Sequence, residues 1–354
     1  MGVEEELVLI DPESRRPTSR SGAAQEANGS SAEVGPELFR HQVESSTPPL
    51  QDAGALERAL RTGRRAMGEA AAAVGARAVA VASPPLAPER GEFTRKDRYL
   101  RIEGEYGLLA REAHVCAMHV HVEVTDDEEG VRVVDGIRPW LPLLTAISAN
   151  SPYWLGQDTG YASWRSQVWG RWPAAGAREP FGDPETYRQV AERAIAWGGA
   201  LDPGMLYFDA RLAEAYPTVE VRVADVCVDV EDAVLVAILV RALVETASAS
   251  EVDPWRGDLL RVAAWRAARY GIAGDLVHPG GGELAPPREV FAALLRHVGA
   301  HLERTGQREL VEDRFERLLA RGNGAVRQRR RFEETDDLNA VVDDLAEATE
   351  ASWA

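Results

Sequence analysis

Residues 2–11 read GVEEELVLID, a segment rich in Val, Leu and Ile that ends at an Asp-Pro turn. This composition predicts a β-strand. Side chains alternate between the two faces of a strand, so Glu4 and Glu6 lie on one face, roughly 6 to 7 Å apart along the chain. Val3, Leu7 and Leu9 share the other face with Glu5.

The two glutamates on one face of this strand have two interpretations. Like charges on a buried face are unfavourable by several kcal/mol unless a cation compensates them. A divalent metal ion would do so, because hard cations bind carboxylate oxygens. Alternatively, the segment is an edge strand whose glutamates are solvated. The strand alone leaves both interpretations open.

The composition bounds the class of protein. The chain has 354 residues, of which 45% are hydrophobic and 27% charged, as expected for a globular protein with a sizeable core. Its formal net charge of -17 argues against nucleic acid as a partner. No apolar segment is long enough to span a membrane and no signal peptide is evident, so we expect no membrane association. Two cysteines inside apolar segments, Cys116 and Cys227, favour a reducing, cytoplasmic location.

The pattern along the chain predicts an α+β fold in one domain covering residues 1–354. Apolar periodicity indicates helices between and after the strands, and no repeat or sharp boundary divides the chain. Six segments predict strands: 2–11, 36–47, 77–83, 114–125, 205–211 and 217–225.

Four of these strands combine a Val-rich face with a polar face. Such strands suit an antiparallel sheet that packs its apolar face on helices and lines a basin with its polar face. The polar positions are Glu4 with Glu6, Glu44, His119 with His121, and Glu220 with Arg222. This oxygen-dominated set favours Mg²⁺ or Mn²⁺ over zinc.

Simpler interpretations exist for the same residues. His119 or His121 alone fits a hydrogen-bonded core histidine equally well. Arg222 beside Glu220 fits a purely structural ion pair, although arginine also binds phosphate through two hydrogen bonds.

The segment 150–182 is long, aromatic and free of clear periodicity. It includes Tyr153, Arg165 and Trp172. Long loops in compact domains are usually functional or disordered. The aromatic content predicts a packed substrate lid here.

Common nucleotide-binding and hydrolase motifs are absent from the sequence. There is no G-x-x-x-x-G-K-[ST] loop, no G-x-G-x-x-G after a strand, no G-x-S-x-G and no H-E-x-x-H. If ATP is used, metal ions and arginines must therefore hold its phosphates.

Several motifs together resemble one family. The chain is similar to the YbdK-like carboxylate–amine ligases, which belong to the glutamate–cysteine ligase type 2 group of the glutamine-synthetase-like superfamily. The resemblance runs from Gly2 to about Pro279. It rests on these motifs in order: GVEEELVLID, VESST, DRYLR, MHVHV, ANSPYW, ASWR, FDAR, PTVEVRVAD and ARYG. One departure is Ser83-Pro84, where family members often carry Thr-His-Pro.

The resemblance implies a six-stranded antiparallel sheet curved around the active site, with helices on its outer face. It implies ATP-dependent joining of a carboxylate to an amine, nominally glutamate to cysteine, with Mg²⁺ or Mn²⁺, and a homodimer is compatible with it. The implied metal ligands are Glu4, Glu6, Glu44, His119 and Glu220. Glu220 and Arg222 would be catalytic, and Arg222 would also contact phosphate.

On this basis we expect an acyl-phosphate mechanism, with amino acids as substrates. Arg165 and Arg101 are our candidates for binding substrate carboxylates or cofactor. The alternatives are a phosphagen-kinase-like phosphotransferase, a metal-dependent amide hydrolase, a binding protein without catalysis, and a ligase acting on other amino acids. The sequence does not identify the acid or the amine.

Overall fold

The computed structural model describes residues 1–30, 32–88, 91–249 and 255–353. The strands are β1 Gly2–Ile10, β2 Gly35–Pro36, β3 Gln42–Ser46, β4 Arg77–Val79, β5 Ala117–Glu123, β6 Tyr153–Trp154, β7 Gln157–Asp158, β8 Ala210–Leu212, β9 Thr218–Asp225, β10 Leu276–Val277 and β11 Leu284–Ala285.

The helices surround these strands and form the C-terminal part of the chain. They are α1 Ser21–Ala27, α2 Ala53–Ala73, α3 Asp97–Tyr106, α4 Leu108–Arg111, α5 Asp127–Ile137, α6 Leu141–Ser148, α7 Trp164–Trp169, α8 Pro184–Ala196, α9 Val230–Ala247, α10 Gly257–Tyr270, α11 Pro287–His297, α12 Gly299–Arg304, α13 Arg308–Arg321, α14 Gly324–Thr335 and α15 Leu338–Ala351. None of the helices in the described residues combines the length and the apolar character needed to cross a bilayer.

One antiparallel sheet contains the strands that the sequence identified. Its order is β2–β3–β1–β5–β9–β8, and β4 also pairs with β1. The predicted α+β class with an antiparallel sheet is confirmed, but the number of strands is seven rather than six. The segment predicted as one strand over 36–47 is a hairpin, because the chain turns between β2 and β3. The curvature of the sheet stays a prediction.

Two further segments differ from the sequence prediction. The strand expected over 205–211 begins only at Ala210, after a 3-10 turn at Pro203–Met205 whose N-cap is Asp202. The segment 150–182 is not a structureless loop, since it contains the β6–β7 hairpin and α7. The Ser163 side chain caps α7 by accepting a hydrogen bond from the backbone N–H of Ser166.

The strand register separates an apolar face from a polar face. Val3 of β1 lies opposite Val120 of β5, which lies opposite Val221 of β9. All three are buried, and α2, α6 and α9 pack against the sheet. Helix α9 is buried along nearly its whole length, as its apolar sequence predicts. The polar residues at the alternate positions therefore point to the opposite side.

A buried ion pair crosses the apolar side of the sheet and explains Glu5. The guanidinium of Arg64 on α2 donates to both Glu5 carboxylate oxygens, at 2.9 and 2.6 Å, and both side chains are fully buried. The same guanidinium donates to the backbone oxygens of Cys227 and Val228, just beyond β9. One side chain thus ties α2 to β1 and to the exit of β9.

The close approach of α2 to the sheet requires a glycine next to this pair. A Cβ atom at Gly63 would lie 2.7 Å from the Ser45 hydroxyl oxygen on β3. The helix axis can therefore come near enough for Arg64 to reach Glu5 only because position 63 lacks a side chain.

We expect Arg64→Met to lower the free energy of unfolding by about 3–5 kcal/mol, because it leaves the Glu5 carboxylate buried without its partner. The double variant Glu5→Leu/Arg64→Met should lose less free energy of unfolding, because it also removes the carboxylate that would otherwise be buried without a partner. Urea unfolding followed by circular dichroism measures both values. Equal losses in the single and double variants would contradict this account of the pair.

Candidate active site

The polar face of the sheet brings acids and histidines from four strands into contact. In the β1–β5 register Glu4 lies opposite His119, and in the β1–β3 register Glu6 lies opposite Glu44. His121 lies opposite Glu220 in the β5–β9 register. Side chains at directly opposed positions on one face are close enough to touch.

These side chains line a cavity of about 310 Å³. Its lining contains six glutamates, two histidines and three arginines, with Tyr99, Tyr207 and Trp169 among the aromatic walls. The charged residues and histidines are Glu4, Glu6, Glu37, Glu44, His119, His121, Glu214, Glu220, Arg98, Arg211 and Arg222.

Three overlapping groups of donors meet the spacing that one metal ion needs. Within each group the ligand atoms lie within 4.8 Å of one another. Among the residues that the structure describes, the groups are Glu4 with His121 and Glu220, Glu4 with Glu44 and His119, and Glu6 with Glu37 and Glu44. Glu4 and Glu44 belong to two groups each, so the cavity can hold cations side by side.

The acidic end of the cavity carries more carboxylates than neighbouring cations can balance. Burial, reinforced by the Glu37 carboxylate, raises the pKa of Glu6 to about 8. Burial and the carboxylates of Glu37, Glu4 and Glu6 raise the pKa of Glu44 well above its ordinary value. The pKa of Glu37 is raised as well, first by burial. The protonated form of all three acids is therefore favoured relative to an exposed glutamate, and a bound cation would favour the ionised form instead.

The opposite end of the cavity is rich in arginine. Burial alone would raise the pKa of Glu220, yet the guanidinium groups of Arg222 and Arg211 hold it below its usual range. Arg211 donates from Nε to Glu220 at 2.7 Å, and Arg222 pairs with the other carboxylate oxygen. Glu220 is therefore ionised and fixed in position.

The histidines connect the two ends through Glu4. His119 Nδ1 lies 3.3 Å from one Glu4 oxygen, and His121 Nε2 lies 3.4 Å from the other. Burial would raise the pKa of Glu4, but its hydrogen bonds to the two imidazoles lower it. Burial and Arg222 lower the pKa of His119 to about 4, so His119 is neutral and can be a ligand. Its Nε2 is buried without a hydrogen-bond partner among the described residues.

The donor set fits a hard divalent cation. Carboxylate oxygens dominate, one neutral imidazole nitrogen is unused, and the raised pKa values of Glu6 and Glu44 mark a site short of positive charge. Mg²⁺ and Mn²⁺ prefer such oxygen-rich sites, whereas zinc favours more nitrogen and sulfur ligands.

The predicted arginines have different positions. Arg222 lines the cavity, and its guanidinium carbon lies 5.6 Å from the Tyr207 ring centroid and 5.9 Å from that of Trp169. Arg165 is fully buried and donates to the backbone oxygens of Arg222 and Val223, so it supports the end of β9. Arg101 is exposed on α3 and is absent from the described lining of the cavities, so the structure does not bring it to the site.

Four charged residues of the lining were missed at the sequence level, namely Glu37, Arg98, Arg211 and Glu214. Glu37 was missed because a single strand over 36–47 would place it on the face opposite Glu44, whereas the hairpin turns it inward. Arg98 lines the cavity in place of Arg101 and pairs with Asp202. The signal for Arg98 was present, since Ile102 is the buried residue of α3 and lies one turn after it.

A second cavity of about 780 Å³ adjoins the first. The two share Trp169, Tyr207 and Arg222 in their linings. Arg165 lines the larger cavity, not the smaller one. The junction at Arg222 therefore joins an acid-rich metal site to a roomier space with aromatic and arginine walls.

Known proteins with similar sequences share one family. The family model described as glutamate-cysteine ligase family 2 matches residues 1–344. A relative from Nocardioides sp., provisionally named glutamate–cysteine ligase 2-1, is 47% identical over 369 residues, covering 100% of this chain and 96% of the relative.

Solved structures are similar in fold at low sequence identity. A glutamate–cysteine ligase from Francisella tularensis, crystallised in complex with AMP, aligns with a TM-score of 0.68 at 10% identity, over 100% of this chain and 88% of that one. A bifunctional glutathione synthetase from Pasteurella multocida aligns with a TM-score of 0.71 at 14% identity, over 99% of this chain and 52% of that one.

The family match extends over nearly the whole chain, and the sequence identity to the relative is far above the level at which fold alone is shared. The sequence-based prediction of a ligase of the glutamate–cysteine type is confirmed at the level of the family. This chain belongs to glutamate–cysteine ligase family 2.

Proposed function

We propose that the chain, as one catalytic domain over residues 1–354, joins the carboxylate of one amino acid to the amine of another, with ATP as the energy source. Glutamate and cysteine are the nominal substrates, and other amino acids are the alternative. The observation that carries the proposal is the convergence of Glu4, Glu6, Glu44, His119 and Glu220 on one cavity that opens at Arg222 to a second.

The first step transfers a phosphoryl group to the acid substrate. A carboxylate oxygen of the acid attacks the γ-phosphorus of ATP, the bond from that phosphorus to the β-γ bridging oxygen breaks, and ADP leaves. Arg222 is placed to stabilise charge on the transferring group, because its guanidinium lies at the junction of the two cavities. Glu220 positions Arg222 by pairing with it.

The second step forms the amide. The amine nitrogen attacks the acyl carbon, the bond from that carbon to the phosphate oxygen breaks, and phosphate leaves while the nitrogen loses a proton. An acyl phosphate is sensitive to water, so the site must exclude it. Trp169, Trp172 and Tyr207 form a packed aromatic cluster at the junction, with ring centroids 4.4 to 6.2 Å apart.

The acids would hold divalent cations together with the triphosphate. Glu4, Glu44 and His119 would bind one ion, Glu6, Glu37 and Glu44 a second, and Glu4 with Glu220 and His121 a third. Mg²⁺ or Mn²⁺ held there would neutralise charge on the phosphate oxygens and would help to orient the γ-phosphate for transfer. The chain itself contributes the rigid sheet register that keeps the donors within reach of one another.

The location and assembly of the protein follow as further parts of the proposal. The free, buried thiols of Cys116 and Cys227 support a reducing cytoplasm. A homodimer remains a proposal taken from the family.

Replacing Glu6 with Gln should reduce ATP turnover by about 100-fold or more, because it removes a preorganised charge at the phosphate site. The variant should keep its fold, since Gln has nearly the same shape. Release of ADP and phosphate measures turnover, and circular dichroism checks the fold. Glu13→Gln, at an exposed glutamate far from the cavity lining, is the matched control.

Turnover in Glu6→Gln equal to that of the parent chain would contradict the metal-site assignment. The products separate the alternatives. An amide with free phosphate indicates a ligase, a phosphorylated guanidine without free phosphate indicates a phosphagen-kinase-like enzyme, and an amide cleaved without ATP indicates a hydrolase.

Removal of metal should make stability depend on pH. Glu6 has a raised pKa of about 8, so its stabilising contribution is complete below the ordinary glutamate pKa and is lost as pH rises through about 8. Glu44 shifts in the same direction. The pKa values of Glu4 and Glu220 are lowered, so these two groups change stability only under acidic conditions and not near pH 8.

In EDTA, the melting temperature should therefore fall from about pH 6 to about pH 9, and added Mg²⁺ should raise it more at the higher pH. Differential scanning fluorimetry at constant ionic strength measures this. In Glu6→Gln the decline should be smaller, which separates the site from general repulsion. A larger effect of Mg²⁺ at the lower pH would contradict the prediction.

A further inference from the structure

The larger cavity contains a carboxylate that the mechanism above does not use. The backbone N–H of Arg222 donates to the Asp209 carbonyl oxygen at 2.9 Å, so Asp209 lies beside Arg222 one step beyond the β8–β9 pairing. Asp209 lines this cavity, and no hydrogen bond or ion pair joins its carboxylate to another described residue. Burial raises the pKa of Asp209 to about 6 although the guanidinium groups of Arg178 and Arg165 lower it, so at neutral pH Asp209 is a half-buried anion that these arginines stabilise without an ion pair.

Other acidic groups of the lining do not compete for a cationic ligand. Asp258, at another part of the wall, pairs with Arg256 at 2.6 Å and is exposed. Asp209 is thus the half-buried acid that an ammonium group entering from this side would meet, and it lies next to Arg222, the arginine at which the acyl phosphate forms.

Two arginines in the same cavity are available for an anion. Nε of Arg178 is buried without a hydrogen-bond partner among the described residues, although another nitrogen of the guanidinium donates to the Ala175 carbonyl oxygen at 3.4 Å. The guanidinium carbon lies 4.9 Å from the Phe208 ring centroid. Burial lowers the pKa of Arg178, the nearby Asp209 carboxylate opposes this, and the guanidinium of Arg261 adds to it, so Asp209 and Arg178 are charged neighbours in this cavity. Neither arginine has an ion pair with a described acid. A ligand carboxylate would satisfy both.

The remaining walls are broad and aromatic. Trp169, Trp172, Phe208 and Trp265 line the cavity, and its volume of about 780 Å³ is in the range of sites that enclose drug-sized ligands. Trp265 is 42% exposed at the cavity wall, although its indole N–H already donates to the Tyr161 hydroxyl. Cysteine would leave most of these surfaces without contact, whereas a flat apolar side chain would cover them.

We propose that this cavity binds the acceptor amine and selects an α-amino acid with a large aromatic side chain. Asp209 binds its ammonium group, Arg178 binds its carboxylate, and its ring packs against Trp172 and Trp265. This inference rests on the proposed ligase function and names the substrate class for its second step. The placement puts the attacking nitrogen beside Arg222, at the junction of the two cavities.

The first experiment compares acceptor amines. The full chain is supplied with Mg·ATP, a panel of donor amino acids including L-glutamate, and L-phenylalanine, L-tryptophan, L-cysteine or L-alanine as acceptor. Amides are identified by mass spectrometry, and kcat/KM is measured for each acceptor. We expect phenylalanine or tryptophan to exceed cysteine by about 10-fold or more. An equal or better kcat/KM with cysteine overturns the inference while leaving the ligase function intact.

Binding is measured separately from turnover, so that a failure of the proposed ligase function can be distinguished from a failure of the inference about the acceptor. Isothermal titration calorimetry of the chain with L-phenylalanine in the presence of Mg²⁺ requires no turnover. Binding of L-phenylalanine without amide formation from any donor and acceptor pair would contradict the ligase function but support the assignment of the cavity. Absence of both binding and turnover with aromatic amino acids overturns the inference.

Variants test the roles of individual side chains. Asp209→Asn should raise the KM or Kd for L-phenylalanine by about 10- to 100-fold, as for loss of a hydrogen bond to a charged group, with the KM for ATP unchanged. Arg178→Gln should weaken the binding of L-phenylalanine but not that of phenethylamine, because phenethylamine lacks the carboxylate. Trp265→Ala should weaken the binding of aromatic acceptors. Trp197→Ala is the control, because Trp197 is an exposed tryptophan outside the cavity.

Two results from these variants would overturn the proposal. A raised KM for ATP with an unchanged KM for the amine in Asp209→Asn would assign the cavity to the nucleotide. Equal behaviour of Trp265→Ala and Trp197→Ala would show that the aromatic wall does not contact the acceptor.

Discussion

Three consecutive glutamates on one buried strand are compensated in three different ways, and the rest of the structure follows from these differences. Glu5 points to the helices and is neutralised by Arg64. Glu4 points to the other side and is held by two imidazoles. Glu6 accepts a backbone hydrogen bond from Ala117 but has no cationic partner within ion-pair distance among the described residues, so its pKa rises.

Because these charges are compensated unequally, the two ends of the cavity differ in electrostatic character. One end holds Glu6, Glu37 and Glu44, whose raised pKa values reflect missing positive charge. The other end holds Glu220, already neutralised by Arg211 and Arg222. Cations are favoured at the first end and anionic groups at the second, which is the polarity that a metal-bound triphosphate requires. The larger cavity begins at Arg222, so groups can reach the junction from both cavities.

The polar strands could be recognised in advance because alternation is a local property. A Val-rich face opposite Glu4 and Glu6, or opposite His119 and His121, is visible in any window of a few residues. Glu37 was out of reach because its orientation depends on a hairpin turn that the apolar pattern does not mark. Arg101 was chosen over Arg98 although both belong to one motif, because the spacing that places Arg98 one turn before the apolar Ile102 was not used.

By itself the sequence determined the strand faces, the α+β class, the family and the kinds of side chain available for chemistry, since these depend on residue type and period-two spacing. The tertiary structure alone decided which donors meet, because contacts between β1, β3, β5 and β9 depend on strand register across more than 200 residues of chain. It also decided that Arg165 supports the backbone while Asp209 remains unpaired in a cavity. Such distinctions arise from burial and from competition among neighbours, which no single segment of the chain encodes.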